Sequence, residues 1–147
     1  MSGPTNTQFT VGLHALTLLA HRGPMSSESI AGSVGANPVY VRRVLGRLRD
    51  AGYVASRPGV RGGWELRRDP AELTLGDVWR VIAGPAPALL GVHHAHPDCD
   101  AGQDIQATLE AVERRAARAV EAELNAIAIA DLTPELAAQL RQRLRVA

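Results

Sequence analysis

Eight arginines fall between residues 42 and 68: Arg42, Arg43, Arg47, Arg49, Arg57, Arg61, Arg67 and Arg68. Only Asp50 and Glu65 oppose them, so the stretch carries +6; the whole chain carries +1, which leaves −5 for everything else. A guanidinium is always charged, and its planar fork of donors matches phosphate oxygens and the guanine edge; it also suits a narrow minor groove. Such a patch on an otherwise acidic chain is the electrostatic footprint of a duplex-DNA binder. A second cluster, His93, His94, His96 and Cys99 beside Asp98 and Asp100, holds the ligand types that zinc or copper prefers. Its spacing suits neither. Adjacent histidines seldom chelate one ion, and no C-x-x-C or H-x3-H pattern is present, so no metal is expected there. Cys99 is instead a candidate sensing thiol. A helix start lowers a thiol's pKa, whereas Asp98 and Asp100 oppose that effect.

The arginines need elements to hold them. Ser26 or Ser27 can cap a helix over SESIAGSV, with Ile30, Ala31 and Val34 on its buried face and Gly35 at its end. Asn37-Pro38 is an N-cap followed by proline at N1, so a second helix runs from Pro38 to a stop at Gly52. Two helices across so short a turn predict a helix-turn-helix. In the second, Val41, Val44, Leu45 and Leu48 follow the core spacing, which leaves Val39, Tyr40, Arg42, Arg43 and Arg47 pointing outward. The strand-forming runs YVASR and GWELRR flank the turn PGVRG and predict a wing with Arg61 at its tip. The candidates for DNA contact are Ser27, Asn37, Pro38, Val39, Tyr40, Arg42, Arg43, Arg47, Arg57 and Arg61.

The remaining elements support this head. A helix from about Thr7 to Ala20 is apolar on much of its surface and is expected at the centre, with His14 as a satisfied core or boundary histidine. After the wing, Thr74 and Asp77 predict a capped helix over LGDVWRVIAG that Gly84-Pro85 ends, and the Pro- and Gly-rich residues 84 to 91 a connector. A long alanine-rich helix is expected from about Gly102 to Ala130. Its stripe of Ile105, Leu109, Val112, Ala116, Ala119, Val120, Leu124 and Ile127 outruns what one subunit needs, so a homodimer is expected; the rival is a helix lying along its own domain. Thr133-Pro134 starts a last helix. The fold class is mainly α with a small β-wing: a winged helix-turn-helix domain over residues 7–84, a connector and His/Cys loop over 85–101, and a helical dimerisation region over 102–147. With 46% apolar and 21% charged residues the composition is globular. One cysteine allows no internal disulfide, and no uninterrupted apolar span or signal segment is evident, so a cytoplasmic, membrane-free protein is expected.

The phrases VLGRLRDAGYV, the S…G…GGWEL wing and LTLGDV, followed by a His/Cys loop and a long helix, resemble the Rrf2 family of bacterial transcriptional regulators over about residues 8 to 130. The resemblance implies a homodimeric winged helix, repressor or activator, on a palindromic operator; many members sense iron–sulphur clusters, nitric oxide or redox state. Cluster-binding members carry three cysteines before the long helix, whereas this chain has Cys99 alone, so it resembles the cluster-free branch and no cofactor is expected. Relatives often place an arginine directly before the first wing glycine. Pro58 stands there in this chain, which leaves Arg57 and Arg61 as alternatives for the minor groove. The expectation is a sequence-specific DNA-binding repressor, redox-responsive through Cys99, and not an enzyme. Two rivals stand beside it. A winged helix can be a protein-interaction module without DNA, which the +6 patch argues against. A metal-binding sensor or enzyme on the His/Cys loop would lack a carboxylate base and any nucleophile constellation.

Overall fold

Helices begin in this chain where a side chain can accept their unpaired N–H groups. The computed structural model describes residues 5–84, 89–90 and 95–146. Its first three helices are α1 (Thr5–Arg22), α2 (Ser27–Val34) and α3 (Pro38–Asp50). Ser26 Oγ accepts the Ser29 N–H at 3.1 Å to start α2, and Gly35 ends it in the left-handed region with φ 70°. Asn37 Oδ1 accepts the Val39 N–H at 2.8 Å, with Pro38 next to it opening α3. The helix after the wing, α4 (Leu75–Ala83), starts with a reciprocal box. Thr74 N–H donates to Asp77 Oδ2 at 2.9 Å, and Asp77 N–H donates to Thr74 Oγ1 at 3.0 Å. Burial works to raise the Asp77 pKa, but the Thr74 hydrogen bonds and the Arg80 guanidinium outweigh it and hold the carboxyl below its ordinary value. A depressed carboxyl stabilises the fold above its ordinary pKa, and that contribution is lost as pH falls through the folded value.

Packing around α1 makes the core. Ala15, Leu16 and Leu19 meet Ile30, Val41, Val44, Leu45, Leu48, Val78 and Ile82, all buried. Phe9 meets the Trp79 ring edge-on at 5.1 Å. His14 departs from the core or boundary placement expected of it. It stands on the outer side of α1 and is exposed, because Val11, Ala15 and Leu19 take the inward positions.

The wing is a two-stranded antiparallel ribbon of β1 (Val54–Arg57) and β2 (Gly63–Leu66). Arg57 opposite Gly63 is the last pair, so residues 58–62 form the tip. A Cβ on Gly62 would fall 2.1 Å from the Arg57 carbonyl oxygen, which is why the tip must close on glycine. Met25 pairs with Trp64 on the far side of β2 through two backbone bonds of 3.0 and 2.8 Å, so the chain entering α2 is tied to the wing. The buried Trp64 indole N–H donates to Ser27 Oγ at 2.9 Å. Ser27→Ala leaves that N–H without its acceptor and is expected to cost about 1–3 kcal/mol, read as a lower urea midpoint at unchanged m-value.

The long helix α5 spans Asp100–Asn125; a 3-10 turn at Ile129–Asp131 and α6 (Pro134–Val146) follow. α5 stops at Asn125, short of the Ala130 expected from sequence. The chain then turns back against the head: Leu75 N–H donates to the Ile127 carbonyl at 2.8 Å, Ile129 N–H to Leu73 at 2.8 Å, and Ala130 N–H to Pro70 at 2.9 Å. Ile129 is 1% exposed and lies in the same core as Leu16 and Leu45. Residues 127–130, placed by sequence with the dimerisation region, therefore complete the head. Within α5 the apolar stripe divides in two. Leu124 packs against the head, whereas Ile105, Leu109 and Val112 are 57, 45 and 47% exposed. The backbone N–H groups of Leu89 and Leu90 both donate to the Glu113 carboxylate, which ties that part of the connector to α5. Among the described residues no helix is long and apolar enough to cross a membrane.

Candidate nucleic-acid interface

α3 carries its two chemistries on two faces. Val41, Val44, Leu45 and Leu48 are buried, and Val39, Arg42, Arg43 and Arg47 are exposed. Val39, at the first turn, is 57% exposed: an aliphatic side chain offered to solvent where a recognition helix meets base edges. Arg42 Nη1 lies 3.0 Å from Glu28 Oε1 on α2, and Arg47 Nη1 donates to Gln8 Oε1 on α1 at 2.9 Å. Arg43 has no hydrogen-bond or ion-pair partner among the described residues. An exposed pair such as Arg42–Glu28 contributes only about 0–1 kcal/mol, so the guanidinium is held in place yet can exchange its carboxylate for a phosphate.

Three of the expected contact residues have other duties. Tyr40 does not point outward. Its side chain is half-buried against the core, and its hydroxyl is enclosed without a hydrogen-bond partner among the described residues. The i+3 and i+4 spacing from Tyr40 leads to Arg43 and Val44, one exposed and one buried, so the ring lies at the boundary of the two faces. Ser27 is buried, and its hydroxyl is taken by Trp64. Asn37 spends its carbonyl oxygen on the α3 cap, with Pro38 beside it setting the helix start.

The wing separates its two arginines. Arg57 Nη2 lies 3.0 Å from Glu65 Oε2, and Arg67 Nη1 lies 3.5 Å from Glu65 Oε1; the Glu65 side chain is mostly covered. Arg61 at the tip is exposed and has no partner among the described residues. Val60 beside it is fully exposed. Gln8, Glu28 and Glu65 were not identified from sequence as the partners of these arginines. Glu65 left a signal: with Arg57 opposite Gly63, Glu65 is the diagonal neighbour of Arg57, and Arg67 follows two positions on along the chain. Gln8 and Glu28 sit 39 and 14 residues from their arginines, and nothing local announces them.

Among the described residues of the His/Cys loop no corresponding convergence is seen. His93 and His94 lie outside the described residues. His96 Nδ1 is 3.7 Å from Asp98 Oδ2, both exposed, and Cys99 is an exposed free thiol at the N-cap position of α5 that makes no side-chain capping bond.

Comparison with known proteins places this geometry among regulators. A family model described as Rrf2, iron-dependent transcriptional regulator, matches residues 5–135. YwnA of Bacillus subtilis (strain 168) is 36% identical over 132 residues, covering 89% of this chain and 98% of its own. IscR of T. potens superposes with TM-score 0.63 at 28% identity, over 85% of this chain and 82% of that one. CymR, described as the global cysteine regulator of B. subtilis, superposes with TM-score 0.61 at 28% identity, over 85% and 92%. The iron in the family's description finds no fitting donor set among the described residues. Cys99 is the only thiol in the chain, an iron–sulphur cluster takes several, and no three His, Cys, Asp or Glu side chains among the described residues converge on a metal-sized site.

Proposed function

The chain belongs to the Rrf2 family of transcriptional regulators, and on that premise we propose that it acts as a homodimeric repressor on a palindromic operator. The observation that supports the DNA half of this reading is the exposed arginine face of α3 beside a wing whose tip arginine has no partner within the described chain. α3 enters the major groove with Val39, Arg42, Arg43 and Arg47, and Arg61 rather than the Glu65-bound Arg57 enters the minor groove. The exposed stripe of Ile105, Leu109 and Val112 supports the dimer. A protein acting on chromosomal DNA works in the cytoplasm, and no catalytic activity or cluster is part of the proposal.

A salt titration tests it. If each subunit neutralises about four phosphates, the log–log slope for a dimer lies near −7; a slope shallower than about −2 would mean that the arginines do not meet phosphate. Arg61→Ala weakens binding by about tenfold and lowers the preference for A·T-rich flanks, whereas Arg143→Ala on α6 changes neither.

Cys99 is proposed as the entry point of a redox signal, on the strength of its exposure at the start of α5. Operator affinity is compared before and after diamide for the wild type and Cys99→Ser. Identical responses of the two proteins would make Cys99 a structural residue.

A further inference from the structure

α4 and α5 meet through one guanidinium. Arg80 Nη2 lies 2.5 Å from Asp77 Oδ1 on its own helix, and Nη1 lies 2.5 Å from Glu121 Oε1 and 3.3 Å from Asn125 Oδ1 on α5. Thr74 Oγ1, which already caps α4 through Asp77, is 3.4 Å from the same Asn125 oxygen. Gly76 makes the approach possible: a Cβ there would fall 2.0 Å from Asn125 Oδ1. Hydrogen bonding to Glu121, and then to Asp77, strengthens the guanidinium's hold on its proton, against the effect of burial. The joint between head and long helix thus carries a directional polar network beside its apolar contact.

Stability alone does not account for such a network. Arg80 and Glu121 are both substantially exposed, and exposed ion pairs add little to folding. The backbone bonds of residues 127–130 already fasten the end of α5 to the head. What a planar fork shared by two helices adds is direction. Direction matters because α5 is a lever. From the joint at Glu121 and Asn125 to the exposed stripe around Leu109 is about 18–24 Å, so a turn of about 10° at the joint shifts the stripe by about 3–4 Å, close to the rise of one base pair.

We propose that Arg80, with Asp77, Glu121 and Asn125, is a positioning cluster that sets the angle of the reading head on α5 and so the half-site spacing the dimer accepts. The inference rests on the dimer reading above. It assigns the selection of spacing to residues outside α3, the wing and the exposed stripe of α5. α3 and the wing read each half-site, and the Arg80 joint fixes how far apart the two readings fall.

The test uses the full chain and duplexes carrying two copies of a half-site selected from a random pool, at the selected spacing and at one and two base pairs more or less. The wild type prefers one spacing by about tenfold or more over its neighbours. Arg80→Ala flattens that preference to about threefold or less, while dimer mass and affinity for a single half-site stay unchanged. Glu121→Gln keeps the side-chain shape and loses one charge, and gives an intermediate profile even if the alanine variant folds poorly. A wild-type spacing profile in both variants would sink the proposal, as would a loss of single half-site affinity equal to the loss on the palindrome. A wild-type chain that binds half-sites as a monomer overturns the dimer reading instead, so the two failures are told apart.

Discussion

Replacing Leu109 and Val112 together with aspartate is expected to give monomers with intact reading heads and to lower affinity for the palindrome by about 10²–10⁴-fold. Both side chains are close to half exposed on the part of α5 that does not touch the head, next to Ile105. Their exposure supports a seam covered by a partner subunit, and two aspartates in each subunit would bring four like charges together across it. Once the subunits separate, the second half-site no longer binds at the high effective concentration that linkage provides. The fold should survive, because no residue of α5 is buried. Light scattering reads the mass, circular dichroism the helix content, and a mobility-shift titration the affinity. An unchanged dimer mass would place the interface elsewhere.

Most of the head was legible because its signals are local. Ser26, Asn37-Pro38 and the Thr74/Asp77 box each announce a helix within four residues, and all three caps form. The wing followed from strand-forming runs around paired glycines. The long helix was legible in kind but not in extent. Nothing between Gly102 and Ala130 breaks a helix; what ends it at Asn125 is pairing with residues 70–75, some fifty positions earlier, and such a partner leaves no mark in a local pattern. The continuous apolar stripe also concealed that its two halves face different things. The rival reading, a helix along its own domain, describes the Leu124 end, while Ile105, Leu109 and Val112 at the other end stay about half exposed. At the interface, residue types were readable and their availability was not. Ser27 and Arg57 look like surface donors until Trp64 and Glu65 are seen to occupy them.

The second large effect is expected far from the arginines. Ile129→Ala removes a side chain that is 1% exposed and seated in the core of the head, and should cost about 2–5 kcal/mol. Against a typical total of about 5–15 kcal/mol, that is enough to lower the melting temperature markedly and to reduce the fraction of chain able to bind DNA. Val60→Ala, at a fully exposed position, is the contrast and should change stability by less than about 0.5 kcal/mol. Equal melting temperatures for the two variants would mean that the 127–130 segment is a loose appendage rather than a wall of the core.

That segment also fixes an order of events during synthesis. Chains emerge and fold from the N-terminus, yet the hydrophobic core of the DNA-reading head is closed by Ile129, which follows the whole of α5. A nascent chain halted at Asn125 has every arginine of the reading surface but leaves Leu73 and Leu75 without their backbone partners and a hole where Ile129 belongs. The proposed DNA-reading surface and the helix that carries the exposed stripe therefore mature together. A chain lacking residues 127–130 is expected to have a defective core and to compete poorly for operator DNA.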